Sequence, residues 1–394
     1  MTPQPRSFVL FSSADWKTRY WTNKQHNAAL LAARGHKVLY VETVGLRAPS
    51  FRAQRDLKRL WARLVSGLKS QLGGPEEVSP NLWVLSPLVM IWGRKYRLIR
   101  AFNTLLLKLA LRGHLRRQGM DEPEIWTYHP FMLDEIEGVR RGRLVYHSVD
   151  DLMAIEGIDT AAFAAAEHRL LRDADLTLVT ARVLETRYAG EARRLEFISN
   201  VVDFDHFAAA HAAPEPADLA AIPHPRIGYH GVLSTQKLDV PLLAALMAQN
   251  PGWQLVLVGD EWEGQPPDSL ASLHALANVH FLGGRPYAEL PAYLGSLDIG
   301  LVPLAANAYT ASMFPMKLYE YFAAGLPVAA TDAPYTAEVT GPIAVGHGAA
   351  GLAEAIRTQL ERGRLTLEQS REAVGEHTYA RRLDHILALT AGAP

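Results

Sequence analysis

The chain has no cysteine among its 394 residues. That absence excludes a disulfide scaffold, a thiolate zinc site and a cysteine nucleophile. It also fits a reducing compartment such as the cytoplasm. No stretch offers the roughly 18 uncharged apolar residues that a membrane-spanning helix needs. The longest candidate, LIRAFNTLLLKLALRGHL, is interrupted by Arg100, Lys108 and Arg112. The opening MTPQPRSFVLF carries one Arg and no long apolar run, so no cleaved signal peptide is expected. A G-x-G-x-x-G is missing as well, which counts against a dinucleotide-dependent dehydrogenase.

What is there describes a folded α/β chain. Hydrophobic residues make up 48% and charged residues 21%, and 8 Trp are present, enough for two full cores. The length predicts two domains of about 100–200 residues each. The net charge of −1 conceals a split. Residues 1–120 carry 21 Lys and Arg against 5 Asp and Glu, and the remainder carries 19 against 36. The N-terminal part is therefore the side expected to meet an anionic partner.

The stretch YTASMFPMKLYEYFAAGLPVAATD, from Tyr309 to Asp332, is the most informative. A polar loop runs into Pro315, a short helix follows, and Gly325 closes it before a strand of small and β-branched residues. Main-chain N–H groups of Met313, Phe314 and Met316 would face an anion there, with Lys317 just behind them. Glu320 lies about one helical turn beyond Lys317 and can accept hydrogen bonds from two ribose hydroxyls. Diphosphate plus ribose means a nucleotide.

Pro315, Lys317, Glu320, Tyr321, Ala323, Ala324, Gly325, Pro327 and Val328 match P-x-K-x-x-E-Y-x-A-A-G-x-P-V. The chain here resembles retaining, group 4-like glycosyltransferases (glycosyl transferases group 1). That resemblance implies the GT-B fold, two Rossmann-like doubly wound domains facing across a cleft. It further implies metal-independent transfer of a sugar from a nucleotide-diphosphate donor, without a cofactor, to a glycan or lipid-linked acceptor in cell-surface polysaccharide synthesis. The family carries a second Glu where this chain has Ser312, and an Arg where it has Val232. A non-catalytic GT-B scaffold and a nucleotide-sugar epimerase therefore stay open as alternatives. The resemblance places Gly231, Lys237, Arg285, Pro286, Tyr287, Ser312, Met313, Phe314, Lys317, Leu318 and Glu320 around the donor, with Lys237 and Glu320 in the reacting machinery. Asp150, at the strand end where relatives often have a His facing the donor sugar, is the third expected catalytic residue. Asp150 or Asp151 could equally cap the next helix.

A β-loop-α-β start is read in SFVLFSS, NAALLAARGH and KVLYVET, with further strands in EIWTYH, RLVYHSV and DLTLVT. LEFISNVVDFDHF matches the family's strand and exit loop through Ile198, Asn200, Val201, Val202, Asp203 and Phe207. These features set an acceptor-side domain over 1–207, an Ala- and Pro-rich linker over 208–224, and a nucleotide-sugar domain over 225–375. A helix over 376–394 is implied by the resemblance to return to the first domain. VDD and DAD imitate a D-x-D metal motif, but neither is read as a metal site, and no metal is expected. Asp15, Trp16, Lys17, Arg19 and Trp21 make the first loop aromatic and cationic, suited to stacking on sugars and meeting phosphate. One of its Trp residues is expected to pack internally. His129, after a strand at the same edge, is a candidate acceptor contact or a structural histidine. Residues 52–69 form a basic amphipathic pattern bearing Trp61, and GRKYRLIR at 93–100 adds four cations. Either these segments meet an anionic membrane, or the apolar stripe packs on the core. A cytoplasmic protein, peripheral on the membrane's inner face, is expected, with no nucleic-acid partner.

Overall fold

The computed structural model describes residues 5–18, 21–42, 74–87, 97–149, 153, 159–262 and 264–391. They form two compact units, one drawn from 1–180, 184–198 and 386–391, the other from 181–183 and 199–385. Asp150, Arg19, the segment 52–69 and residues 93–96 lie outside the described residues.

The first unit holds β1 (Ser7–Ser12), β2 (Lys37–Glu42), β3 (Glu76–Ser79), β4 (Leu82–Leu85), β5 (Glu124–Thr127), β6 (Leu144–Ser148), β7 (Leu176–Val179) and β8 (Leu195–Phe197). They form one sheet in the order β3-β4-β2-β1-β5-β6-β7-β8. All neighbours are parallel except β3 and β4. A parallel strand covered on both faces needs a continuous apolar run rather than alternation. FVLF of β1 supplies one, with Phe8, Val9, Leu10 and Phe11 all buried. The β3–β4 hairpin turns at Asn81, whose φ of 65° is the left-handed region that Asn tolerates better than most residues. At the start of β1 and β5, Arg6 pairs with Glu124, and Glu124 also accepts from Trp126 Nε1 at 2.6 Å. Burial pushes the Glu124 carboxyl up, and the Arg6 charge opposes that shift. Arg6 also donates to Thr390 Oγ1 at 3.0 Å, and Arg194 to the Leu389 carbonyl at 3.0 Å, which fixes the end of the chain to this unit.

The second unit holds β9 (Arg226–His230), β10 (Gln254–Val258), β11 (Val279–Phe281), β12 (Ile299–Val302), β13 (Val328–Thr331) and β14 (Ile343–Gly346), in the order β11-β10-β9-β12-β13-β14. Every pairing is parallel. In chain order that is 3-2-1-4-5-6, the doubly wound arrangement whose order reverses between its first and fourth strands. β9 and β12 are those strands. In the first sheet the reversal lies between β1 and β5. The loops that leave these four strands therefore hold the two ligand edges.

The segment 208–224, expected as a linker, falls within the second unit. Ala210 and Leu219 are buried, Arg226 donates to the Ile222 carbonyl at 2.7 Å, and Asp218 takes Arg285 at 2.6 Å. Side-chain anchors hold this segment inside the second unit, and such anchors leave no periodic pattern in a run of Ala and Pro.

One contact seats the helix Lys317–Ala323. The Tyr321 hydroxyl accepts from the His230 N–H at 3.2 Å and lies 3.3 Å from the Gly228 carbonyl and 3.4 Å from that of Leu301. Its ring covers Gly300, where an added Cβ would come within 2.5 Å of Tyr321 Cδ2. The helix ends in a Schellman arrangement: Leu326 N–H meets the Tyr321 carbonyl at 2.8 Å, Gly325 N–H meets that of Phe322 at 3.1 Å, and Gly325 has φ 80°. Gly300→Ala should destabilise the protein by about 1–3 kcal/mol through overpacking against this ring. Equilibrium denaturation checks it, and an unchanged midpoint would mean that Tyr321 moves aside freely.

Candidate nucleotide site in the second unit

Strand β9 ends at His230, and Gly231 turns the chain with φ 119°, a conformation open to glycine at no steric cost. Gly231 N–H donates to the Val258 carbonyl at 2.9 Å. An added Cβ on Gly259 would sit 1.9 Å from the Gly231 oxygen, so the ends of β9 and β10 close together only because Gly259 lacks a side chain. Lys317 comes into this turn from its helix. Its Nζ donates to the Tyr229 hydroxyl at 3.2 Å, lies 4.5 Å from the centre of that ring, and is 3.6 Å from the Cβ position of Gly231. Burial pushes the Lys317 amine down to about 8, and Glu320 opposes that shift. Lys237 lies near the same phenol. Burial raises the Tyr229 hydroxyl to about 12, and the Lys237 charge works against the rise. Lys317 thus enters a tight glycine turn at the switch point of a parallel sheet, and the Lys237 amine lies 5.9 Å from the centre of the Tyr309 ring.

Glu320 follows one turn along. Its Oε2 is 3.0 Å from His230 Nε2, and the two side chains are only 13% and 8% exposed. Burial pushes the Tyr287 hydroxyl well up, and the charge of Glu320 adds to that. The Tyr287 ring stacks on His206 with centroids 4.0 Å apart and planes 9° from parallel. His206 Nε2 donates to the Tyr287 carbonyl at 3.0 Å. The structure therefore gathers Gly231, Lys237, Lys317, Glu320 and Tyr287 at one edge, and His230 joins them. Sequence reasoning passed over His230. Its position just before the turn glycine in RIGYHG was the available signal.

Several of the other expected donor residues make side-chain contacts within the second unit. Arg285 donates to Asp218 and to the Tyr293 hydroxyl, both at 2.6 Å, which makes it a clamp on the segment expected to be a linker. Ser312 is buried, and its hydroxyl donates to the Ala308 and Tyr309 carbonyls at 3.1 and 3.0 Å. Phe314 is buried and stacked on Tyr319, while its carbonyl accepts from Asn200 Nδ2 at 2.6 Å. The Leu318 side chain is fully buried, Met313 is half-buried, and Pro286 is exposed. Met313 N–H has a long contact of 3.4 Å to the Thr310 carbonyl.

In the first unit, the loop after β1 is an aromatic cluster. Trp16 meets Trp21 at 4.9 Å and Tyr40 at 5.1 Å, and Trp21 meets His26 at 5.5 Å. Trp16 N–H donates to Glu42 at 2.6 Å, and the Asp15 carbonyl accepts from Gln25 at 3.0 Å. Lys17 is exposed and pairs with Glu76 at 2.9 Å. His129 is buried, and its Nδ1 accepts from Phe131 N–H at 3.1 Å, which caps the turn Pro130–Met132.

Residues 224–362 match the family model for glycosyl transferases group 1. The match covers most of the second unit, the part that carries the site above. Over 183 residues the chain is 29% identical to TuaH of Bacillus subtilis (strain 168), a glycosyltransferase assigned to teichuronic acid biosynthesis. That alignment takes in 45% of each protein, so the chain spans under half the length of this relative. The sucrose-phosphate synthase of Thermosynechococcus elongatus superposes with a TM-score of 0.69 at 18% identity, over 98% of both chains. HepE of Anabaena, solved with UDP and glucose, superposes with a TM-score of 0.65 at 18% identity, over 99% of this chain and 100% of its own. The fold is GT-B.

A buried lysine held near 8 has a cost in stability. An unfolded lysine titrates near 10.4, so below about pH 8 the fold carries the full expense of enclosing the charge. Stability contributed by this group rises as pH goes from about 8 to about 10.5, because the unfolded chain then binds more protons. Lys317→Met should raise stability at pH 7 by about 1–3 kcal/mol and flatten that rise. Denaturation midpoints measured from pH 7 to 10 check it. Identical profiles for both proteins would contradict the burial.

Proposed function

We propose that this protein is a glycosyltransferase that moves a sugar from a nucleotide-diphosphate donor to a glycan or lipid-linked acceptor in cell-surface polysaccharide synthesis. The observation that carries the reading is the placement of Lys317 and Glu320, one turn apart on a helix seated at the switch point of the second sheet. A cation over a glycine turn suits a diphosphate, and a carboxylate only 13% exposed beyond it suits the paired hydroxyls of a ribose. Tyr287, within the field of Glu320, would lie along the base. The match to glycosyl transferases group 1 and the likeness to TuaH support the same class.

Chemically, cleavage of the sugar–phosphate bond leaves negative charge on the departing diphosphate. Lys317 and Lys237 would stabilise that charge, the role that a metal ion fills in other transferases. On this reading the reaction needs neither metal nor cofactor, and the retaining course follows from the family resemblance. Asp150 stays a candidate beside the donor sugar. The acceptor is assigned to the first unit, where Trp16 and Trp21 could offer ring faces and Lys17 a cation beside the loop after β1. A cytoplasmic enzyme with peripheral membrane contact completes the proposal.

A thermal-shift screen with UDP, GDP, ADP and dTDP tests it. At ~100 Kd one nucleotide should add ~2.7 kcal/mol of stability. Glu320→Ala should abolish most of that gain, by ~1.5–3 kcal/mol, while the unliganded protein stays folded with a cooperative transition. Release of that nucleotide from its sugar conjugate then separates an enzyme from a scaffold. No response to any nucleotide, or equal binding by the variant, would overturn the proposal.

A further inference from the structure

The helix Arg97–Gln118 presents an apolar stripe to solvent. Leu98 is 86% exposed, Phe102 48%, Leu105 55% and Leu109 56%. Their spacing of four, three and four residues puts them on one face over about 17 Å of helix. The opposite face packs into the unit through Asn103, Leu107, Leu111, His114 and Leu115, all buried. The stripe is therefore not the helix's core-facing side. Half of the large exposed hydrophobic residues among those described lie on this one helix.

The helix's own charges have one sign, and the nearest acids, Asp134 and Glu137 of the neighbouring short helix and its end, are paired with Arg169. Arg112, Arg116 and Arg117 are exposed and Lys108 is half-buried. Arg116 is 18 residues from Leu98, five full turns, and so continues the same line. Arg112 reaches the Gly138 carbonyl at 3.2 Å and Arg117 the Gly113 carbonyl at 3.2 Å, and neither contact neutralises its charge. No Asp or Glu occurs from Val78 to Met120. Two copies meeting face to face would bring these cations together unpaired. An anionic lipid surface matches both features, apolar depth for the leucines and phosphate for the arginines. None of the helices among the described residues is long and apolar enough to cross a membrane.

We propose that the helix Arg97–Gln118 lies in the plane of an anionic bilayer, with Leu98, Phe102, Leu105 and Leu109 at the acyl boundary and Arg112 and Arg116 among the headgroups. This deepens the proposed function, since it presents the first unit to a lipid-linked acceptor, and it rests on that reading only for the acceptor's place. The docking is reversible and weakens with salt.

The test uses the full chain and sedimentation with phosphatidylcholine vesicles, with and without phosphatidylglycerol, at low and high salt. Binding should require phosphatidylglycerol and fall at high salt. Leu105→Glu with Leu109→Glu should cut the bound fraction about tenfold, because both side chains leave the acyl boundary. Both positions are exposed, so the thermal transition and its nucleotide shift should not move. As a second variant, Arg112→Ser with Arg116→Ser should erase the preference for anionic vesicles. Three results would overturn the proposal: no binding by the unaltered protein, equal binding by the leucine variant, or a dimer that the leucine variant dissolves. A nucleotide shift that persists through any of these leaves the glycosyltransferase reading intact.

Discussion

The seat of Tyr321 on Gly300 is the constraint from which the second unit's site follows. A phenol buried against a sheet must satisfy its hydroxyl, and here it does so on the main chain of β9 and β12, the two strands flanking the switch point. That fixes the rotation of the helix Lys317–Ala323 about its axis. With the rotation set, Lys317 enters the Gly231 turn and Glu320 meets His230. The absence of a side chain at Gly228 and Gly300 is as much a part of the arrangement as the ring itself. At Gly228 an added Cβ would come within 2.0 Å of Leu297 Cδ1.

The site concentrates electrostatic strain that an ordinary core avoids. A buried amine held near 8 and a carboxylate facing an imidazole at 3.0 Å are poor choices for stability. Such groups make sense where a polyanion and a polyol supply the missing partners. The first unit shows the opposite economy. His129 caps a turn, Trp16 and Trp21 pack with Tyr40 and His26, and Lys17 pairs with Glu76.

Much of this was legible in the sequence where local rules govern. Pro315 before a helix and Gly325 after it bracket Lys317–Ala323 because proline and glycine act through their own backbone. The buried strands were legible too, since parallel sheets demand unbroken apolar runs. Tertiary choices were not. Arg285 stands in the GGRPY loop expected near the base, and its pairing with Asp218, more than 60 residues earlier, has no local signal. Ser312 looks like a shortened Glu, yet its hydroxyl turns back onto the carbonyls of its own short helix. The packed course of 208–224 rests on Ala210, Leu219 and Asp218, three anchors too sparse to make a pattern. His230 hid inside a strand, where periodicity assigns it to the core.

The central claim is that the edge formed by Gly231, Lys317 and Glu320 holds a nucleotide diphosphate. A crystal structure of the protein with the nucleotide that stabilises it most tests this directly. The account predicts the diphosphate against Gly231 and the Lys317 amine, with both ribose hydroxyls within hydrogen-bond distance of Glu320. A nucleotide bound anywhere else, with Glu320 still facing only His230, would contradict it.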